Sequence, residues 1–113
     1  MSEYIDHLHE VFERFGPIQA RRMFAGHGLF HDGLMFALVA DDCLYLKADA
    51  EIAHRFEAAG LKQFEYEKAD RMVKMSYYLA PDDLFDDVDE AAIWARHSFE
   101  AALRSQPKPK HKR

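Results

Sequence analysis

One cysteine in 113 residues excludes an internal disulfide and any zinc or iron–sulfur centre built from several cysteines. Cys43 opens an apolar segment with no His-plus-acid pattern beside it, so it reads as a small half-buried thiol rather than a nucleophile. The first residues, Met1-Ser2-Glu3-Tyr4-Ile5-Asp6, show neither a basic region nor an apolar stretch, and no secretory signal is legible. The longest unbroken apolar run, Leu34 to Ala40, falls far short of the roughly 20 residues that cross a bilayer as a helix. The expectation is a soluble cytoplasmic protein without membrane contact. Positive charge is also scarce where nucleic acid would need it. Lys108, Lys110, Lys112 and Arg113 supply four of the 15 basic residues, so positions 1–107 hold 11 basic against 20 acidic side chains, a net of −9. Phosphate contacts dominate nucleic-acid affinity, and a body of that sign repels a duplex unless its arginines are gathered on one face.

What the chain does hold is a dense strand-and-turn signal between Arg21 and Asp49. Asp32-Gly33 separates Gly28-Leu29-Phe30 from the run Leu34 to Val39, and an Asp-Gly pair suits a type I′ turn because both residues tolerate positive φ. Asp41-Asp42 then precedes Cys43 to Lys47, in which Leu44 and Leu46 share one face and Tyr45 and Lys47 the other. A three-stranded antiparallel meander is predicted, with Ile18 to Phe24 starting the sheet before it.

On either side the periodicity changes. Tyr4, Leu8, Val11, Phe12 and Phe15 recur at helical spacing, so residues 3–15 are predicted helical, with Ser2 as N-cap and Gly16-Pro17 as the stop. After the meander, Asp49 is placed to cap a short helix with Ile52, Phe56 and Ala59 on one face and Gly60 at its end. Phe64 to Glu67 and Met72 to Leu79 alternate with period two around a polar turn, giving a hairpin with Val73, Met75, Tyr77 and Leu79 on one face. The acidic run after Pro81 leads into a helix whose inner face is Val88, Ala91, Ala92, Ala95, Phe99, Ala102 and Leu103, with Trp94 off that face, at the helix edge or on a contact surface.

The order α-β-β-β-β-α-β-β-α predicts an α+β two-layer sandwich: an antiparallel sheet of five to six strands with helices on one face. At this length, with 49% hydrophobic residues, one domain covering residues 1–105 is expected, followed by a disordered basic tail over 106–113.

Motifs that would carry chemistry are incomplete. Gly26-His27-Gly28 lacks the third glycine and the following helix of a phosphate-binding loop, so these glycines are expected to permit a bulge or turn between the first two strands. His27 and His31 lie on one face of an extended segment, about 13 Å apart along it, too far to share a metal on a straight strand. His7 and His9 fall on different helix faces. The carboxylates after Pro81 lack the calcium-loop spacing and serve the last helix as cap and dipole complement. Arg21 and Arg22 point to opposite faces of one strand, so one of them should face solvent and the other lie along the core edge or meet a carboxylate such as Asp41 or Asp49. No nucleophile, base and oxyanion-donor set assembles, and neither an enzyme nor a cofactor is expected.

Arg21-Arg22-Met23-Phe24, the glycines at 26, 28 and 33, the run Leu34 to Asp42, and Leu44-Tyr45-Leu46-Lys47 resemble the signature of the TfoX N-terminal domain family. Met75-Ser76-Tyr77-Tyr78, Pro81-Asp82-Asp83 and Trp94-Ala95-Arg96 resemble its second half, so the likeness spans roughly residues 3–105. It implies the same two-layer fold, similar to that of the secretion chaperones, which bind proteins and are commonly dimers. It also implies a stand-alone, non-enzymatic bacterial module of the kind found in TfoX/Sxy competence and transcription coactivators. Its expected partner is a transcription regulator, with Arg21, Arg22 and Trp94 as contact candidates. Composition separately predicts a homodimer through a sheet edge or the Trp94 helix, because nine Phe, five Tyr and one Trp are more large apolar groups than two thin layers enclose. A rival of another class uses the Gly26–His31 bend as a small-ligand or enzymatic site, and forecasts a deep pocket lined by His27 and His31.

The tail generates its own prediction. Four cations can neutralise about four phosphates, with a salt slope near −0.9 for each contact on a duplex. Full-length protein should bind mixed-sequence DNA only at low ionic strength, and deletion of residues 106–113 should abolish the binding in a titration at two salt concentrations. Sequence-selective binding that survives deletion would overturn the charge argument.

Overall fold

Two consecutive turns with positive φ at both central residues set the geometry of the chain. In the computed structural model, which describes residues 3–23 and 26–106, Asp32 and Gly33 have φ of 51° and 81°, and Asp41 and Asp42 have 55° and 59°. This is the twist-matched form of two-residue hairpin turn, and aspartate tolerates it better than most residues with a side chain. The turns join β2 (Gly26–His31), β3 (Leu34–Ala40) and β4 (Cys43–Lys47) into the expected meander, with β1 (Gln19–Met23) paired antiparallel to β2. β5 (Gln63–Lys68) and β6 (Arg71–Leu79) form the later hairpin. The sheet has six strands in the order β1-β2-β3-β4-β6-β5, all antiparallel, so β1 and β5 are its edges.

Three helices pack on this sheet: α1 (Glu3–Val11), α2 (Ala53–Ala58) and α3 (Val88–Ser105). Phe12, just after α1, meets Phe36 of β3 edge-on at 5.5 Å, and Phe56 of α2 stacks on Tyr78 of β6 at 5.1 Å. Leu29, Phe36, Leu44, Leu46 and Phe56 are fully buried between the layers. The register between β2 and β3 shifts after Leu29, which pairs with Ala37 while Phe30 pairs with Met35. Phe36 is the extra residue of this bulge, and it reaches Phe12 and Phe15 under the helices.

The element order and fold class agree with the sequence reading, and the differences are local. The first helix ends at Val11 rather than Phe15: the Phe15 and Gly16 amides both bond to the Phe12 carbonyl, in tight turns that put the Phe15 ring on Phe36 at 5.0 Å. Gly16, at φ 143°, lies where a Cβ would stand 2.8 Å from the His31 ring. Ala59 and Leu103 are exposed rather than inward, whereas Ser98 and Ala101 are buried on α3. A 3₁₀ turn, Asp82–Asp86, absorbs part of the acidic run, and Asp87 is the cap of α3, its carboxylate accepting from the amides of Asp89 and Glu90 at 3.1 Å. The positions assigned to Ser2 and to Lys108, Lys110, Lys112 and Arg113 lie outside the described residues.

Asp49 has two tasks. Its Oδ1 accepts from the amides of Glu51 and Ile52, capping the turn that enters α2, while Arg104 at the end of α3 donates to both carboxylate oxygens at 2.6 and 3.1 Å. The Arg104 hydrogen bond holds the Asp49 carboxyl below its ordinary 3.8. A depressed folded value means that the stabilisation is complete above the unfolded value and is lost as pH falls through the folded one. Arg104→Ala should therefore cost about 1 kcal/mol at neutral pH, a value limited by partial exposure, and the deficit should shrink as pH falls below the carboxyl's ordinary 3.8. Urea denaturation across pH measures both; a pH-independent deficit would contradict the assignment.

Candidate functional site: the helix-free face of the sheet

Strand alternation divides the sheet residues cleanly. Leu29, Ala37, Leu46 and Tyr78 are register partners beneath the helices, so Gly28, Leu38, Tyr45 and Leu79 belong to the opposite face. That face carries no helix, yet it is apolar. A groove of about 330 Å³ crosses it, with walls from Met23, Met35, Leu38, Phe64, Tyr66 and Met75. Its floor comes from the central strands, and its far wall from the β5–β6 hairpin.

Two glycines shape the groove by close approach. A Cβ at Gly28 would stand 2.5 Å from the Met23 sulfur and 3.0 Å from that of Met35, so the missing side chain lets the thioethers close in. A Cβ at Gly26 would collide with the Val39 carbonyl oxygen. Of the bulge or turn expected between the first two strands, the bulge is not there, since the register shift lies between β2 and β3 at Phe36, and the turn after Met23 falls on positions outside the described residues. Aromatic rings continue the surface: Tyr45 meets Phe64 at 4.7 Å, and Phe64 stacks on Tyr66 at 6.4 Å. Tyr77 is buried there, and burial pushes its phenol up to about 12.

Cations sit over two of the rings. The Arg21 guanidinium is 4.9 Å from the Phe30 centroid, and Lys47 Nζ is 5.1 Å from that of Tyr77. By alternation, Lys68 and Arg71, paired across the β5–β6 turn, lie on the same side as Tyr66 and Val73. Among the described residues, no strand position on this face holds Asp or Glu.

The residues singled out from sequence are not gathered here as a set. Arg21 is on the groove face and Arg22 on the other, but both are exposed: β1 is an edge strand, so neither needs to lie along the core, and Asp49 is occupied by Arg104. Trp94 lies in the helical layer, half-buried at 5.1 Å from Phe56, with Nε1 donating to Glu90 at 3.2 Å. His27 borders the groove, but by alternation, as the partner of Arg22 and Val39, it belongs to the helix side like His31, which packs between Phe15 and Phe99 at 4.5 and 5.0 Å. The Nδ1 of His31 donates to the Pro17 carbonyl at 2.7 Å, since a carbonyl only accepts. The groove lining includes His27 but not His31, so the forecast pocket lined by both is not the one found here. Among the described residues, no group of three or more His, Cys, Asp or Glu side chains is placed to hold a metal.

The groove residues Met23, Met35, Leu38 and Met75 were not singled out from the sequence. For Met35 and Leu38 the signal was the unbroken run Leu34 to Ala40, since a strand apolar at successive positions is apolar on both faces.

A protein-family model for the TfoX N-terminal domain matches residues 10–102. The chain belongs to this family. DNA transformation protein TfoX1 of Aliivibrio fischeri is 36% identical over 78 residues, covering 66% of this chain and 37% of that protein. Protein Sxy of Escherichia coli is 28% identical over 97 residues, covering 86% of this chain and 46% of Sxy. The chain thus spans less than half the length of these curated relatives. In this TfoX N-terminal domain, no helix among the described residues is long and apolar enough to cross a membrane.

The glycines give a paired prediction. Gly26→Ala presses on backbone and should cost about 2–3 kcal/mol, whereas Gly28→Ala meets only thioether and ring ends that can rotate, and should cost less than about 1. Denaturant midpoints at constant m compare them; equal costs would mean that the methionines are not adjustable.

Proposed function

We propose that this domain is a non-enzymatic regulatory module that works by binding another protein in the cytoplasm, in the manner of competence and transcription coactivators. Membership of the TfoX N-terminal domain family and the relatives' relation to DNA transformation support a regulatory setting. The observation that carries a binding role is the helix-free sheet face, where a groove is walled by methionine and aromatic side chains. Monomeric soluble proteins rarely leave a large contiguous apolar surface uncovered, and methionine-rich walls adapt to a partner's shape.

A photo-crosslinking amino acid placed at Ile93 in the helical layer and, separately, at Lys68 on the sheet should capture a specific protein in the native host, identified by mass spectrometry. A transcription regulator is the expected partner. Recovery of no specific protein from either position under varied growth conditions would sink this reading.

Self-association belongs to the same proposal, through a sheet edge, β1 or β5. An edge leaves backbone donors and acceptors open to pairing with a second copy, and Tyr66 and Met72 near the β5–β6 turn are exposed. Light scattering should show dimer at high micromolar concentration; a strict monomer there would refute this part.

A further inference from the structure

The charge on the groove face runs against the charge of the protein. Before position 108 the chain carries a net of −9, yet the strand positions around the groove offer Arg21, Lys47, Lys68 and Arg71 and no acid. The acids are off these strand positions: Asp32, Asp41 and Asp42 in turns, Asp70 in the turn between Lys68 and Arg71, Glu65 and Glu67 alternating away from Tyr66, and the run from Asp82 to Glu90 before and within α3. Apolar walls on a sheet face whose strand charges are all positive define the chemistry of what fits between them.

That chemistry rules out the occupants nearest to hand. Residues 108–113 are cationic and would meet four like charges. A second copy seated face to face would set the same four cations against each other. Single-stranded nucleic acid needs bare ring faces for its bases, but Arg21 and Lys47 already cover Phe30 and Tyr77, and thioether walls offer nothing to base edges. An anionic bilayer calls for a projecting amphipathic surface, whereas this one is concave.

Resting on the interaction-module reading, we propose that the helix-free face docks an acidic amphipathic segment of a partner protein. Its large apolar side chains enter the groove between Met23, Met35, Leu38 and Met75, and flanking carboxylates pair with Arg21 on β1, Lys47 on β4, and Lys68 and Arg71 at the end of the β5–β6 hairpin. The methionines accommodate leucine, phenylalanine or methionine without a fixed fit, and the rim charges set orientation and on-rate.

The test starts from a random display library of peptides about 16 residues long. The library is selected on the full chain and counter-selected on a Met35→Glu, Tyr66→Ser variant whose thermal melt confirms that it is folded. Enriched peptides should combine Leu, Phe or Met with an excess of Asp and Glu. Fluorescence anisotropy of the best of them should weaken roughly tenfold or more on Arg21→Glu plus Lys47→Glu, and again between about 50 and 300 mM salt. Basic or neutral consensus peptides, enrichment that survives counter-selection, or no enrichment would each overturn the proposal. So would displacement of the peptide by oligothymidylate or by phosphatidylglycerol vesicles at lower concentration, which would make the face a nucleic-acid or lipid surface. If host crosslinking still recovers a partner while the library test fails, the module stands and this docking surface falls. If crosslinking recovers nothing, the module reading itself has failed.

Discussion

A central strand that is apolar on both sides must be covered twice, and this constraint governs the molecule. In β3, Phe36, Ala37 and Val39 face the helices while Met35 and Leu38 face away. The helical layer solves one side: Phe12 and Phe15 pack on Phe36, and the Ala91, Ala95 and Ala102 positions let α3 approach closely. Nothing in the described chain covers the other side, so methionines fold down over Gly28 and cations lie across rings to limit the apolar area left in water. The groove is what remains after these partial measures.

The fold was legible because its signals are local. Asp32-Gly33 and Asp41-Asp42 announce hairpins through backbone conformations that few residues accept, and the alternation of Leu44 and Leu46 assigns the faces directly. The end of α1 was less legible because Phe12 and Phe15 continue the helical spacing while Gly16 and Pro17 tighten the last turns. Leu103 keeps the helical period but lies beyond the sheet that would bury it, and only the position of α3 shows this.

The candidate site was hidden for a different reason. Attention to charged and titratable residues led to Arg22, Trp94 and the paired histidines, and each of these is held by the architecture: Trp94 by Phe56 and Glu90, His31 by Phe15, Phe99 and Pro17, Arg22 by its place on an edge strand. An apolar surface assembled from five strands has no contiguous motif. Met23 and Met75 are 52 positions apart in the chain and become neighbours only when β6 crosses to β4.

That crossing divides the sheet mechanically. The β1–β4 portion and the β5–β6 hairpin are each closed by short turns, and they are stitched together at three paired positions: Tyr45 with Leu79, Leu46 with Tyr78 and Lys47 with Tyr77. Local ladders form quickly, so the seam is where the slow, non-local step of assembly falls. The groove takes one wall from each piece, so its shape exists only while the seam is closed. Any molecule held there acts as a clamp across the join, and its binding free energy is added to the cohesion of the sheet itself.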